Sequence, residues 1–222
     1  MRINFLVAAT LSAALYAAPI TIYNTGVDNS NVRLTNPSAD THWTLLNGPN
    51  GPGTVFAVAD VGFPMGYWVP NTATSTWLSP TTNAGDLLPA GDYTFRTTFN
   101  LTGLNPLTGA FSGLFAADNS LFDVRINGVT VGISGGGFDS LTPFSFACGT
   151  NCVSGVNTID FVVRNQAGVN TPVGLRVEIA GTADPLGGGG GGSPVPEPST
   201  YVMMGAGVAL LSVTRFRTGS KK

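Results

Sequence analysis

The sequence holds one histidine, His42, in the run Asp40-Thr41-His42-Trp43. A histidine-based nucleophilic triad would have to use it, and no Gly-x-Ser-x-Gly elbow accompanies it. In DTHWTLL it reads equally well as an ordinary strand residue. The chain has 12 acidic residues, and Glu178 is the sole glutamate before the C-terminal tail. Most of its aspartates stand next to Gly, Asn or Ser, where aspartate is a turn former first. Glycoside hydrolysis needs two acids flanking a cleft, so these residues favour a protein without a catalytic group. Asp118, Asn119 and Asp123 offer hard oxygen ligands of the kind calcium takes, without the spacing of an EF-hand loop. Plain turn residues are the alternative reading. No other cofactor is expected.

Sugar binding is the chemistry that the residue types suit best. Sugar rings expose C–H faces that stack on aromatics, while Asn, Asp, Arg and His take up the hydroxyls. Trp43, Tyr67, Trp68 and Trp77, with His42, Asn71 and Arg125, are the candidates. Large aromatics also fill cores, and that reading stands beside the first. Arg176 and Asn165 read as structural. Cys148 and Cys152 are separated by Gly-Thr-Asn. In an exported chain such a pair is most simply a small disulfide-closed loop, and the Cys-x-x-Cys spacing of a redox or metal site is missing.

The elements that must position these residues read as strands. Tyr93, Phe95, Thr97 and Phe99 alternate with Thr94, Arg96 and Thr98. Phe122, Val124 and Ile126 alternate with Asp123 and Arg125, and Asn127-Gly128 then supplies a two-residue hairpin turn before Val129-Thr130-Val131. Ile159, Phe161 and Val163 form another set; Val173, Leu175, Val177 and Ile179 a further one. Shorter candidates fall at 20–23, 31–34, 42–46, 66–69, 76–78, 110–116 and 140–146. With 30 Gly and 15 Pro the chain is punctuated too often for long helices. Short strands with one buried face each favour two sheets packed face to face. The expected fold is all-β, a β-sandwich over residues 19–184, with a jelly roll as first choice of topology.

Charged residues make up only 10%, against about 25% in ordinary domains. Solubility therefore rests on Thr, Asn, Ser and Gly, as in extracellular β-domains. A formal charge of −2 argues against a nucleic-acid partner. Residues 1–18 carry one arginine and then an apolar run ending in small residues, which reads as a signal peptide. Residues 185–194 contain six consecutive glycines, Gly187 to Gly192, a flexible linker. Residues 195–222 follow with Val195-Pro196-Glu197-Pro198, an uncharged apolar run over 201–213, and a basic end with Arg215, Arg217, Lys221 and Lys222. Counting Ser199, Thr200 and Thr214, the run makes a helix of roughly 24 Å against a hydrocarbon core of ~30 Å. Snorkelling basic side chains cover part of that deficit. A single C-terminal transmembrane helix is expected, with the basic end in the cytoplasm.

This tripartite tail resembles the PEP-CTERM sorting signal of Gram-negative bacteria that make exopolysaccharide. The resemblance implies recognition by an integral-membrane exosortase, anchoring in the inner membrane in transit, and delivery to the cell surface or extracellular matrix. Gly205 and Gly207 make the apolar span a weaker helix than usual. The body of the chain is similar to galactose-binding-like jelly-roll modules. The motifs that carry this are His42-Trp43-Thr44-Leu45, Trp68-Val69-Pro70-Asn71, Ser75-Thr76-Trp77, Ala117-Asp118-Asn119, Ile126-Asn127-Gly128 and Gly155-Val156-Asn157. That resemblance implies a fold that often holds a structural calcium ion, and it guides ligand choice poorly, because the fold hosts many functions. Together these readings give an exported, non-enzymatic module that binds glycan. The rivals are a structural matrix protein without a discrete ligand, and a glycoside hydrolase.

Overall fold

The computed structural model describes residues 17–168 and 170–186. The sorting motif with Arg215 and Arg217, the expected membrane span, the glycine run and nearly all of the expected signal peptide lie outside the described residues. Among those described, no helix is long and apolar enough to cross a membrane.

Eleven strands follow one another: β1 (Ala18–Ile20), β2 (Ala39–Asn47), β3 (Gly53–Ala57), β4 (Leu78–Ser79), β5 (Gly91–Asn100), β6 (Ala110–Asp118), β7 (Ser120–Ile126), β8 (Val129–Thr130), β9 (Thr142–Ala147), β10 (Val156–Asn165) and β11 (Gly174–Ala183). Two short 3-10 turns, Pro106–Thr108 and Gly149–Asn151, are the only helical pieces among the described residues. Hydrogen bonding runs β8-β7-β10-β5-β2-β3-β4-β11-β6-β9, with β1 added to β11. The described residues are all-β and every strand pair among them is antiparallel.

The path curls on itself at the short β4. Inward side chains of β5 and β10 then meet those of β6 and β9: Phe99 lies edge-on to Phe111 with ring centroids 4.7 Å apart, and Phe161 to Phe144 at 5.7 Å. This face-to-face contact is what a β-sandwich requires. The alternation that the sequence carries is what fills it, for Tyr93, Phe95 and Phe99 are buried together with Ile159, Phe161, Val163, Leu175 and Val177. On the other face, β5 and β10 are held by charge. Arg96 stands opposite Asp160 and Arg164 opposite Asp92, and each forms a bidentate pair with N–O distances of 2.6 to 2.9 Å. Oppositely charged cross-strand pairs of this kind favour one register. Cys148 and Cys152 form a disulfide with Cα atoms 5.2 Å apart.

Some segments depart from the alternation. The pairing of β7 with β10 shifts at Val162/Val163, and the extra residue on β7 is Phe122. That bulge turns Phe122 outward, where the Arg164 guanidinium lies over its ring, and Leu121 takes the inward place. Residues 66–69 form a turn, with the N–H groups of Tyr67 and Trp68 donating to Pro64 O at 2.8 and 3.2 Å. Residues 31–34 contribute only the bridge Val27–Arg33. β3 is a strand that the alternation did not reveal.

The outer face of β6 and β11 is covered by the excursion between β3 and β4. Val58, Trp68, Trp77, Ala84 and Ala116 form a second apolar cluster there, with Phe138 against it. This cover explains Arg176, which alternation would place in solvent. Its side chain is wholly buried; it donates from Nε to Ser75 Oγ at 2.8 Å and from Nη2 to Glu178 Oε1 at 2.8 Å. Nη1 also donates to Pro70 O.

Candidate functional site

A cleft of about 240 Å³ opens beside this second cluster. Loop 62–69 forms one wall through Phe63, Pro64 and Tyr67. The corner between β6 and β7 provides Asp118 and Asn119; the loop before β9 supplies Phe138. Thr171 and Pro172, between β10 and β11, close the far side. Tyr67 is 69% exposed and meets the ring of Phe63 edge-on at 6.1 Å. Trp68, only 3% exposed, packs beneath on Trp77 with centroids 4.2 Å apart and the rings tilted by 31°.

The cleft floor is rigidly built. Trp68 donates from Nε1 to Asp118 Oδ2 at 2.7 Å, and Asn119 donates from Nδ2 to Oδ1 at 2.9 Å. Asn119 Oδ1 accepts from the N–H of Gln166 at 2.8 Å, which ties the far wall to the floor. Asn165, expected to be structural, anchors that loop by donating to Leu88 O at 2.9 Å. Burial pushes the Asp118 carboxyl up to about 6, against a partial opposing effect of the Trp68 hydrogen bond. Gly174 allows the indole of Trp68 to lie on the backbone of β11: a Cβ there would stand 2.3 Å from Trp68 Cη2. Gly174→Ala should therefore displace Trp68 and destabilise the domain by about 1–3 kcal/mol. Denaturant titration followed by tryptophan fluorescence reads this, and an unchanged midpoint would contradict it.

The cleft unites residues that the sequence offered for two different purposes: Tyr67 and Trp68 as sugar platforms, Asp118 and Asn119 as calcium ligands. The other candidates go elsewhere. Trp43 is fully buried in the main core, its Nε1 donating to Tyr23 O at 3.2 Å, and Trp77 is fully buried under Trp68. Neither indole face can receive a sugar; both are packing residues. Asn71 is a loop clamp, accepting from Trp77 N at 2.8 Å and donating to Val58 O at 3.1 Å. Arg125 pairs with Asp123 at 2.6 Å on β7. His42 stacks on Tyr23 at 3.6 Å beside a separate groove, and its Nε2 has no hydrogen-bond partner. The expected calcium ligands are engaged with different partners, because Asp123 is held by Arg125 and Thr130 while Asp118 is held by Trp68 and Asn119. Among the described residues no group of three or more His, Cys, Asp or Glu is placed to hold a metal ion.

Sequence reading missed Phe63, Phe138, Thr171 and Pro172 as cleft residues. Phe63-Pro64 beside Gly62 was the available signal, since an aromatic in a turn is poorly placed for a core.

Residues 194–217 match the family model of the PEP-CTERM protein-sorting motif. That motif marks the chain as an exported protein that transits the membrane, and it implies processing by an exosortase. A search of curated proteins gives no match. Among solved structures, the chain is similar to the CBM36-1 domain of a multidomain xylanase from the hindgut metagenome of Trinervitermes trinervoides, with 17% identity and a TM-score of 0.31. The similarity covers 71% of this chain and 93% of that one.

Proposed function

We propose that the protein is a non-enzymatic glycan-binding module, exported and sorted by its PEP-CTERM tail to the surface or exopolysaccharide matrix of a Gram-negative bacterium, and that the Tyr67–Asp118 cleft is its binding site. The observation that carries this reading is the convergence of an exposed tyrosine, an exposed phenylalanine and a buried carboxylate on one concave surface. Sugar binding asks for that combination: an apolar platform for C–H faces and a fixed polar group for hydroxyls. A jelly-roll strand order with a C-terminal transmembrane anchor completes the proposed architecture. Asp118 is the one carboxylate among the residues lining the cleft, whereas glycoside hydrolysis uses two; this favours binding over cleavage.

The test is affinity electrophoresis of the full chain in gels containing the producer's own polysaccharide. Retardation that free oligosaccharide relieves is the expected result. A folded chain that migrates identically with and without polysaccharide would overturn the reading in favour of a structural matrix protein.

A further inference from the structure

Asp118 differs from the other buried or half-buried acids of the domain in how its charge is met. Asp160 has Arg96, and Glu178 has Arg176. Asp40 accepts from three backbone N–H groups, those of Gly26, His42 and Trp43, at 2.7 to 3.1 Å. Asp118 is 5% exposed, and its partners are two neutral donors, the Trp68 indole and the Asn119 amide. None of the ion pairs among the described residues includes it. A buried carboxylate without a counter-charge is costly, and a cation delivered by a ligand offsets that cost.

The walls have the matching character. Phe63, Tyr67, Trp68 and Phe138 border the same 240 Å³ cleft. Aromatic faces attract a cation through their quadrupoles, most strongly when it is desolvated. A neutral sugar would gain the stacking and could donate hydroxyls to the carboxylate, but would leave its charge unmatched. A uronate would meet it with like charge. An ammonium group answers both features at once.

We propose that the cleft selects a primary ammonium group carried on a sugar ring, that is, an amino-sugar unit of a cationic polysaccharide, with Asp118 as counter-ion and Phe63, Tyr67, Trp68 and Phe138 as an aromatic enclosure. This rests on the glycan-binding reading above. It narrows the ligand to polymers with free amines, as opposed to N-acetylated or acidic ones.

The test is isothermal titration of the full chain, at neutral pH, with three oligosaccharides of equal length: glucosamine, N-acetylglucosamine and glucose oligomers. The glucosamine oligomer should bind at least 10-fold tighter than either of the others, at an energy scale of ~1.4 kcal/mol per tenfold. Asp118→Asn should bring that ratio close to one. Tyr67→Ala, at an exposed position, should weaken all three, so the assignment stays testable if the Asp118 variant fails to fold. Equal affinity for the three oligomers, or preference for the acetylated one, would overturn the amino-sugar assignment and leave the glycan reading standing. A folded wild-type chain that binds none of them and ignores the producer's polysaccharide would overturn both.

Discussion

Replacing Trp77 with alanine should cost about 4 kcal/mol, a large share of the ~5–15 kcal/mol that holds a domain of this kind together. Trp77 has no exposed surface and, with Trp68, is one of the two largest side chains of the second cluster. Its ring supports Trp68 at 4.2 Å, and its Nε1 donates to Val69 O at 2.8 Å. Truncation would open a cavity, orphan that carbonyl and remove the support of the cleft floor. Trp77→Phe retains most of the buried area and should cost only about 1–2 kcal/mol. Chemical denaturation of the two variants separates packing from mere bulk. An alanine variant less than ~1 kcal/mol below wild type would mean that the 58–79 excursion is not part of the cooperative fold.

Arg176→Ala is the second large effect, at about 3 kcal/mol. The guanidinium is completely buried and joins β11 to Pro70, Thr72 and Ser75 of the same excursion. Its removal leaves Glu178 facing Ser75 and Thr72 without its cation, and a severed buried pair costs far more than an exposed one. The Glu178 carboxyl is held below the ordinary range because hydrogen bonds from Ser75, Arg176 and Thr72 together outweigh its desolvation, the largest opposing cause. That part of the stability is present above the unfolded carboxylate range and is lost as pH falls through the lower, folded value. The loss in Arg176→Ala should change little between low and high salt, because the guanidinium is shielded from solvent ions. A loss below ~1 kcal/mol, or one that vanishes at 1 M salt, would show a surface interaction instead.

Strands with strict alternation were legible in kind, and β5 in extent. β5, Gly91–Asn100, holds the whole alternating run from Tyr93 to Phe99, because its inward side chains are mostly aromatic and its outward ones short or charged. The tryptophans were not legible. Residue type says that an indole wants apolar contact, and Trp43, Trp68 and Trp77 find it in the main core, under the cleft and in the second cluster respectively. The same limit applies to Arg176. One-sided alternation assumes that the outer sheet face meets water, and the 58–79 excursion removes that condition over β11. Phe122 misled for a local reason, since one bulged residue reverses the sides of those before it. The cleft escaped detection as a unit because Trp68 and Asp118 are 50 positions apart and meet only through the packing of the excursion on β6 and β11.

The measurement closest to the central claim is the affinity of the full chain for the producer's polysaccharide with Tyr67 changed in turn to alanine and phenylalanine. Tyr67 is exposed, so neither change should alter folding by more than ~0.5 kcal/mol. A glycan stacked on that ring predicts that alanine weakens binding by about 10- to 100-fold, while phenylalanine stays within a few-fold of wild type. Undiminished binding by a folded Tyr67→Ala chain would contradict the assignment of the cleft as the glycan site.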